Sequence, residues 1–279
     1  MTPFDYRRPS TLAQAVEWMG AEPDAKLLAG GQSLLAAMKL RFAAPTVLID
    51  LQGLPELATI EQRGNELWIG AMCSHAKVAS SELVQRLAPA LATLANGIGD
   101  RQVRNRGTVG GSVANADPAA CWPAGLVAFG ATVVTDRREV AADDFFNGLF
   151  STALASDEIV CGVRFPAIQH ACYIKFEQAA SRFALTGVAV ARMNSRSGND
   201  VRVAITGLGS GVCRWADAEQ ALSEHFSPDA VAALQPDTSL AFGDIHASAE
   251  YRLHLARVLT QRAVKQIIQQ ASTSGDHYV

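Results

Sequence analysis

Apolar positions along this chain repeat with two periods, and the switches between them mark its elements. In "PSTLAQAVEWMG", Leu12, Val16 and Met19 recur at helical spacing, Thr11 and Gln14 form a candidate capping box, and Gly20 supplies the stop. "AKLLAG" then reads as a short buried strand that breaks at Gly30 and Gly31, followed by a helix over "SLLAAMKLRF" and a β-branched strand, "TVLIDL". Strand, glycine turn, helix, strand is a βαβ unit, which sets the double glycine at the carboxyl end of a parallel strand. Ligands of α/β proteins bind at that end.

Further along, "LATIEQ" and "ELWIGA" flank "RGN" and predict a hairpin. Ser81 caps a predicted helix through "LVQRLAPALATLAN" that Pro89 bends or divides. An apolar helix near "AGLVAFG", a strand "ATVVT", a loop around "DDFFNG" and a long strand "DEIVCGVRFP" follow, with Phe145 and Phe146 read as core. Past "FPAIQHA" the organisation changes. The strands "CYIKFEQ", "GVAVARM" and "VRVAITGLG" precede helices near 215–222, near 228–234 and from about Ala249. In the last of these Leu255, Leu259, Ala263 and Ile267 recur every four residues. Strands followed by helices predict an α+β second domain.

Length and composition narrow the classes. The 279 residues suit two domains better than one. A net charge of -3 offers no broad positive field for nucleic acid. "MTPFDYRRPS" lacks a signal-peptide core, and no stretch reaches the roughly 18 apolar residues of a membrane span, so the expected location is the cytoplasm. The five cysteines are widely spaced and odd in number, and the six histidines lack ligand spacing. Reduced thiols and no metal held by this chain are the expectation.

Two segments carry the sharpest chemistry. "AGGQS" and "TVGGS" each place a double glycine beside hydroxyl side chains: Ser33 in the first, Thr108 and Ser112 in the second. Glycines let the main chain turn with its N–H groups inward, a concavity that suits an anion, and a helix beginning after Ser33 adds its dipole. Two such nests could grip the two phosphates of one pyrophosphate; each alone could be an ordinary turn. No lysine follows the first glycines as in GxxxxGK[ST], which removes the main electrostatic part of a kinase or ATPase. "GIGDRQ" and "GLGSG" lack the Rossmann fingerprint. A dinucleotide held as a lasting cofactor fits better.

Lesser features are weighed beside these. "SHAK", 74–77, matches a bare SxxK, but without KTG or GxSxG it reads as a helix start. Arg101, Arg104 and Arg106 form a basic cluster, the last two facing one way if the segment is extended. A solvated edge, a cofactor-pocket wall and a protein interface all remain open for them, and their place directly before the second nest favours a functional role.

Together "AGGQSLLAAMKLRFAAPTVLIDL", "IGDRQVRNRGTVGGSVANADPAA" and "DIHASAEYRLHLARVLTQRAV" resemble the FAD-binding medium subunit of the molybdenum hydroxylases, the group of carbon monoxide dehydrogenase and xanthine dehydrogenase. The resemblance covers nearly the whole chain. It implies an α+β (mixed α/β) fold. Residues 1–170 would form an FAD-binding region of the PCMH type, in two subdomains split near 55–60. Residues 171–279 would form a C-terminal α+β domain of the CO dehydrogenase flavoprotein type, a small antiparallel sheet with flanking helices.

It also implies that Ala29, Gly30, Gly31, Gln32 and Ser33 form one FAD pyrophosphate loop and Thr108, Val109, Gly110, Gly111 and Ser112 the other, with Asn115, Asp117, Cys121 and Lys175 as further cofactor-binding residues. A large partner would hold the molybdenum cofactor and a small one two [2Fe-2S] clusters. This subunit's flavin would pass their electrons to an external acceptor, in a dimer of heterotrimers. Where many relatives have aspartate after "ADPAA", this chain has Cys121, a weak donor and weak acceptor; a buried inert thiol is the reading here, with Asp117 or a backbone group as compensation.

Two other readings compete. A stand-alone FAD oxidoreductase of the UDP-N-acetylenolpyruvoylglucosamine reductase type would share paired glycine loops, but "DIHASAEYR" and the lack of a C-terminal proton-donor motif count against it. A non-catalytic assembly subunit with a decayed FAD site is motivated by Cys121 alone.

Overall fold

The β-branched run at 47–50 becomes the middle strand of a parallel sheet. The computed structural model of the protein describes residues 1–195 and 198–274. Its first elements are β1 (Asp5–Arg7), α1 (Leu12–Ala21), β2 (Ala25–Leu28), α2 (Leu34–Lys39) and β3 (Val47–Asp50). The sheet order is β1-β3-β2 with both pairings parallel, so the βαβ unit forms and gains a short strand that carries no sequence signal. Thr11 caps α1 by accepting from the Gln14 amide at 3.2 Å. The Gln14 side chain, however, accepts from the Ser10 amide at 2.8 Å, so the box closes one residue further out than expected.

Next come β4 (Ile60–Arg63), β5 (Glu66–Gly70), α3 (His75–Ser80), α4 (Glu82–Leu87), α5 (Pro89–Asn96), α6 (Arg101–Arg106), α7 (Val109–Asn115) and α8 (Cys121–Ala128). After them lie β6 (Thr132–Thr135), β7 (Glu139–Ala141), α9 (Ala142–Phe145), β8 (Phe146–Gly148), β9 (Ser151–Thr152) and β10 (Val160–Pro166). Strands β4-β5-β10-β6-β7 form an antiparallel sheet in that order. Pro89 divides the expected long helix into α4 and α5, entering α5 at its first position where its missing N–H costs nothing. Phe145 is fully buried in the main core, and the half-buried Phe146 packs on it edge-on from the margin. The segment around them is a short helix and strand rather than a loop.

The remainder comprises β11 (Ala171–Glu177), β12 (Ala184–Ser195), β13 (Gly198–Thr206), β14 (Cys213–Arg214), α10 (Ala216–Glu224) and α11 (Ala249–Ser274). Residues 228–231 make a single 3-10 turn where a helix is expected. Residues 196–197 and 275–279, within the expected second domain, lie outside the described residues. The antiparallel order is β11-β12-β13-β14.

Strand alternation in this sheet decides what packs where. Cys172, Val188, Val190, Val201, Val203 and Ile205 share one face and one core cluster with Leu255, Leu259, Ala263 and Ile267 of α11. Each fully buried Leu or Ile of that stripe contributes about 1.5–3 kcal/mol. The opposite face presents Ala171, Tyr173, Ala189, Ala191 and Ala204, all in the same cluster as α8 and α5. Small side chains there let those helices approach the sheet closely. Every residue of α8 is buried, which is why the helix is apolar all round.

Candidate cofactor site

The first glycine loop leaves β2 at Leu28, which lies beside Asp50 at the carboxyl end of β3. Gly31 sits at φ +73°, a left-handed conformation that glycine adopts without penalty. A Cβ on Gly30 would fall 2.1 Å from the Arg106 carbonyl oxygen, so only glycine lets this loop lie against the end of α6. The Ala29 carbonyl accepts from Gln52 Nε2 at 3.5 Å, and Gln52 is fixed in turn by its amide's 2.9 Å bond to Asp50 Oδ1. The other Asp50 oxygen accepts from the Tyr6 hydroxyl.

What matters for binding is which amides remain free. Among the described residues, the N–H groups of Gly30, Gly31, Gln32 and Ser33 have no hydrogen-bond partner within the chain. Ser33 stands at the N-cap of α2 without a side-chain cap bond, and Gln32 is exposed with its own Nε2 donating to the Gly30 carbonyl at 3.4 Å. Consecutive unpaired amides at a helix start are a ready concavity for an anion. The donor set fits a phosphate of a dinucleotide.

The second glycine segment differs from its expected form. It is not a separate nest with inward amides but the N-cap and first turn of α7. Val109 N donates to Cys73 O at 3.0 Å, Gly110 N to Ala71 O at 2.8 Å, Gly111 N to Thr108 Oγ1 at 3.1 Å and Ser112 N to Thr108 O at 3.1 Å. All four amides are spent inside the protein. The glycines serve close approach instead: a Cβ on Gly110 would lie 2.4 Å from the Ala71 Cβ, and one on Gly111 3.5 Å from the Ala29 Cβ. The two motifs therefore meet, the first offering amides and the second a wall with the half-buried Ser112 hydroxyl and helix-end dipole.

The basic segment before this wall is also helical. Asp100 caps α6 by accepting from the Val103 amide at 2.7 Å, so Arg101, Arg104 and Arg106 wind around a helix rather than alternating along a strand. Arg104 donates to the carbonyls of Ile98 and Gly99 at 3.1 and 2.9 Å.

Beyond α7, Ala116 takes the left-handed cap position and the chain turns into the segment 117–120. Asn115 ends the helix half-buried, and Asp117 Oδ1 accepts from the Ala119 amide at 2.8 Å. Burial pushes the Asp117 carboxyl up from its ordinary range. The segment docks on the C-terminal sheet: Gly207 N and the Thr206 hydroxyl donate to the Pro118 carbonyl, and the same hydroxyl reaches Ala120 O at 2.9 Å. Arg252, from the third sequence motif, donates to the Gly207 and Leu185 carbonyls from below and to Asp244 at 2.7 Å. The second and third motifs are thus tied through consecutive hydrogen bonds, and the first meets the second by the close approach of Gly30 to Arg106 and of Gly111 to Ala29.

Cys121 begins α8 and is buried, and burial pushes its thiol up from the ordinary range. The Tyr173 hydroxyl faces it and burial raises its pKa, yet among the described residues it makes no hydrogen bond. A Cβ on Gly187 would come within 2.5 Å of that hydroxyl, so glycine makes its room. Lys175, on the same sheet face, acts electrostatically on Cys121, while its Nζ donates to Arg182 O and lies 3.6 Å from Glu177. Cys121 and Lys175 are therefore neighbours, and Cys121 shares its core cluster with Val109 and Val113 of α7.

His75 carries no sequence signal beyond a helix start, and the structure makes it a hub. Ser74 caps α3, as expected for "SHAK". Trp122 Nε1 donates to His75 Nδ1 at 3.1 Å, which fixes the imidazole as the neutral tautomer with its proton on Nε2. Burial, and then the nearby Arg104 charge, hold its pKa down to about 4. The ring packs against Gly107, where a Cβ would meet Nε2 at 2.8 Å, and so braces the start of the second motif.

A glycine-lined anion cradle at the end of a parallel sheet, walled by a second glycine helix, defines a nucleotide-cofactor protein. Comparison with known proteins narrows this. Residues 2–168 match the FAD binding domain in molybdopterin dehydrogenase, and residues 171–267 the CO dehydrogenase flavoprotein C-terminal domain. The nicotine 6-hydroxylase medium subunit of Paenarthrobacter nicotinovorans is 38% identical, over 93% of this chain and 95% of that protein. The carbon monoxide dehydrogenase medium chain of Hydrogenophaga pseudoflava is 36% identical, over 94% and 96%. The crystallised carbon monoxide dehydrogenase of the same organism, which lacks the Mo-pyranopterin moiety of the molybdenum cofactor, superimposes with a TM-score of 0.88 at 35% identity, covering 96% of this chain and 98% of that one. The chain belongs to the family of FAD-binding medium subunits of the molybdenum hydroxylases, and is a flavoprotein subunit of an oxidoreductase.

Proposed function

We propose that this chain passes electrons from the [2Fe-2S] clusters of a small partner subunit, through its FAD, to an external acceptor. A large partner holds the molybdenum cofactor and the substrate site, and the complex assembles as a dimer of heterotrimers in the cytoplasm. Bound FAD supplies the conversion between one-electron and two-electron transfer.

The observation that carries this reading is the row of free amides at Gly30, Gly31, Gln32 and Ser33, pressed against the α7 wall. In it, residues 1–170, divided near 55–60, hold the cofactor, and residues 171–279 are the C-terminal α+β domain. The free amides and Ala29 bind the pyrophosphate. Thr108, Val109, Gly110, Gly111 and Ser112 confine it and exclude water, Ser112 adding a hydroxyl. Asn115 and Asp117 line the way toward Cys121 and Lys175, which flank the ring. Gln52 and Asp50 hold the first loop in place. These roles follow from backbone donors that need no counter-charge, which suits a cofactor retained through many turnovers.

The experiment is purification of the native complex through a tag on this chain, with flavin, iron and molybdenum measured per chain. Flavin together with both metals supports the reading. A colourless chain that takes up no FAD overturns it.

A further inference from the structure

Outside the cradle, α3, α5 and α6 enclose an open groove of about 650 Å³. Ala76 and Ala79 of α3 and Ala92 of α5 give it a small, apolar floor, and Arg101 and Arg104 of α6 stand at its edge. No carboxylate is among its described lining residues. The Arg101 side chain has no hydrogen bond or ion pair among the described residues, and Arg104 spends one terminal nitrogen on backbone carbonyls and keeps the rest of its donor fork. The α6 wall also reaches the cofactor cradle, because its last carbonyl is the atom a Cβ on Gly30 would strike.

We propose that this groove is the docking site for the iron–sulfur partner subunit, which seats a carboxylate-bearing segment over Arg101 and Arg104 and small apolar side chains on the alanine floor. The proposal rests on the reading of this chain as an FAD subunit fed by clusters. Two arguments select that occupant. Electrons cross between protein-held centres only over short separations, so the subunit that supplies them must seat near the flavin ring, and the groove reaches it: a Cβ on Gly97, directly after α5, would lie 4.0 Å from Cε of Lys175, which that reading sets beside the ring. Guanidinium forks without a counter-charge, in a chain of net charge -3, match a localised carboxylate. A nucleic acid or anionic membrane would call for a broad basic field instead. Small side chains under a charged edge also reproduce the usual interface plan of apolar centre and polar rim.

The test uses the complex assembled in cells that express all of its subunits, pulled down through this chain with Arg101→Glu, with Thr93→Glu, with Lys265→Glu, or unaltered. Thr93 is exposed in the groove and Lys265 is exposed on α11, away from it. Flavin, iron and acid-labile sulfide per chain are measured in each. The two groove variants lose about tenfold or more of the co-purifying iron and sulfide through like-charge repulsion. Their flavin stays at the unaltered level, and Lys265→Glu keeps both. Full iron in both groove variants overturns the docking site, as does equal loss of flavin and iron, which would make the groove part of the cradle. An unaltered chain without flavin overturns the underlying reading instead.

Discussion

Gly111 and Ala29 stand in direct contact: a Cβ on Gly111 would lie 3.5 Å from the Ala29 Cβ, although the residues belong to different subdomains of the expected division. The two glycine motifs are therefore one structure with unequal parts. The first keeps its amides free; the second gives up its amides to gain close packing against Ala71 and Cys73.

The first loop is the part that tolerates least change. Gly30→Ala cannot be accommodated in place, because the new methyl would sit 2.1 Å from a backbone oxygen. A forced backbone shift costs on the order of 1–3 kcal/mol. FAD affinity measured by equilibrium titration should fall about tenfold to a hundredfold. Gly20→Ala, at a helical position with nothing within 4 Å, should leave FAD binding unchanged and gain up to about 1 kcal/mol in stability.

The Trp122 to His75 bond predicts a stability effect. His75→Leu leaves a buried indole N–H without an acceptor and should cost about 1–3 kcal/mol in urea unfolding. His75→Gln, which offers an acceptor, should recover part of that loss.

The same histidine predicts a pH dependence. Its pKa is lowered from 6.5 in the unfolded chain to about 4 in the fold, so between those values the unfolded state binds more protons. Its contribution is therefore complete above pH 6.5 and is lost as pH falls toward 4, at no more than about 1.4 kcal/mol per pH unit. Denaturation curves between pH 7 and 4 should show a steeper acid loss for the native chain than for His75→Gln. Parallel curves would contradict a neutral buried imidazole.

Thiol reactivity should follow burial. Burial raises Cys161 and Cys213 to about 11 and Cys172 to about 12, and Cys121 lies deeper than the half-buried pair. Alkylation of the folded chain at pH 8, followed by peptide mass spectrometry, should label Cys161 and Cys213 slowly and Cys121 only after unfolding. Rapid labelling of Cys121 would mark it as an exposed, activated thiol.

Arg252 joins the third motif to the second through Gly207 and Pro118. Arg252→Met removes the donors for two buried carbonyls and should destabilise the chain by about 2 kcal/mol. Thermal unfolding would check this. A variant as stable as the native chain would show that the clasp adds nothing.

Much of this was legible from local pattern. The β-branched run at 47–50, the glycine break at 30–31, Pro89 and the four-residue stripe of α11 each act within a few positions, and each forms as its spacing predicts. "RQVRNR" was not, because Arg and Gln suit a helix while the alternation of Val with polar residues suits a strand; the Asp100 cap decides for the helix. The inward amides expected of "TVGGS" failed for a tertiary reason. Ala71 and Cys73 carbonyls, 39 and 36 positions earlier, claim those of Gly110 and Val109. His75 was invisible because its partner Trp122 is 47 positions away and neither residue has a motif around it. Tyr173 likewise gains its meaning only from the helix packed against its strand.

The most direct test is equilibrium titration of the purified, flavin-stripped chain with FAD, followed by flavin fluorescence, with Gly30→Ala and Cys121→Asp measured beside it. The native chain should saturate at one FAD per chain, Gly30→Ala should bind at least tenfold more weakly, and Cys121→Asp should retain binding. No binding by the native chain, with binding restored in Cys121→Asp, would contradict the account and identify a site that this sequence has lost.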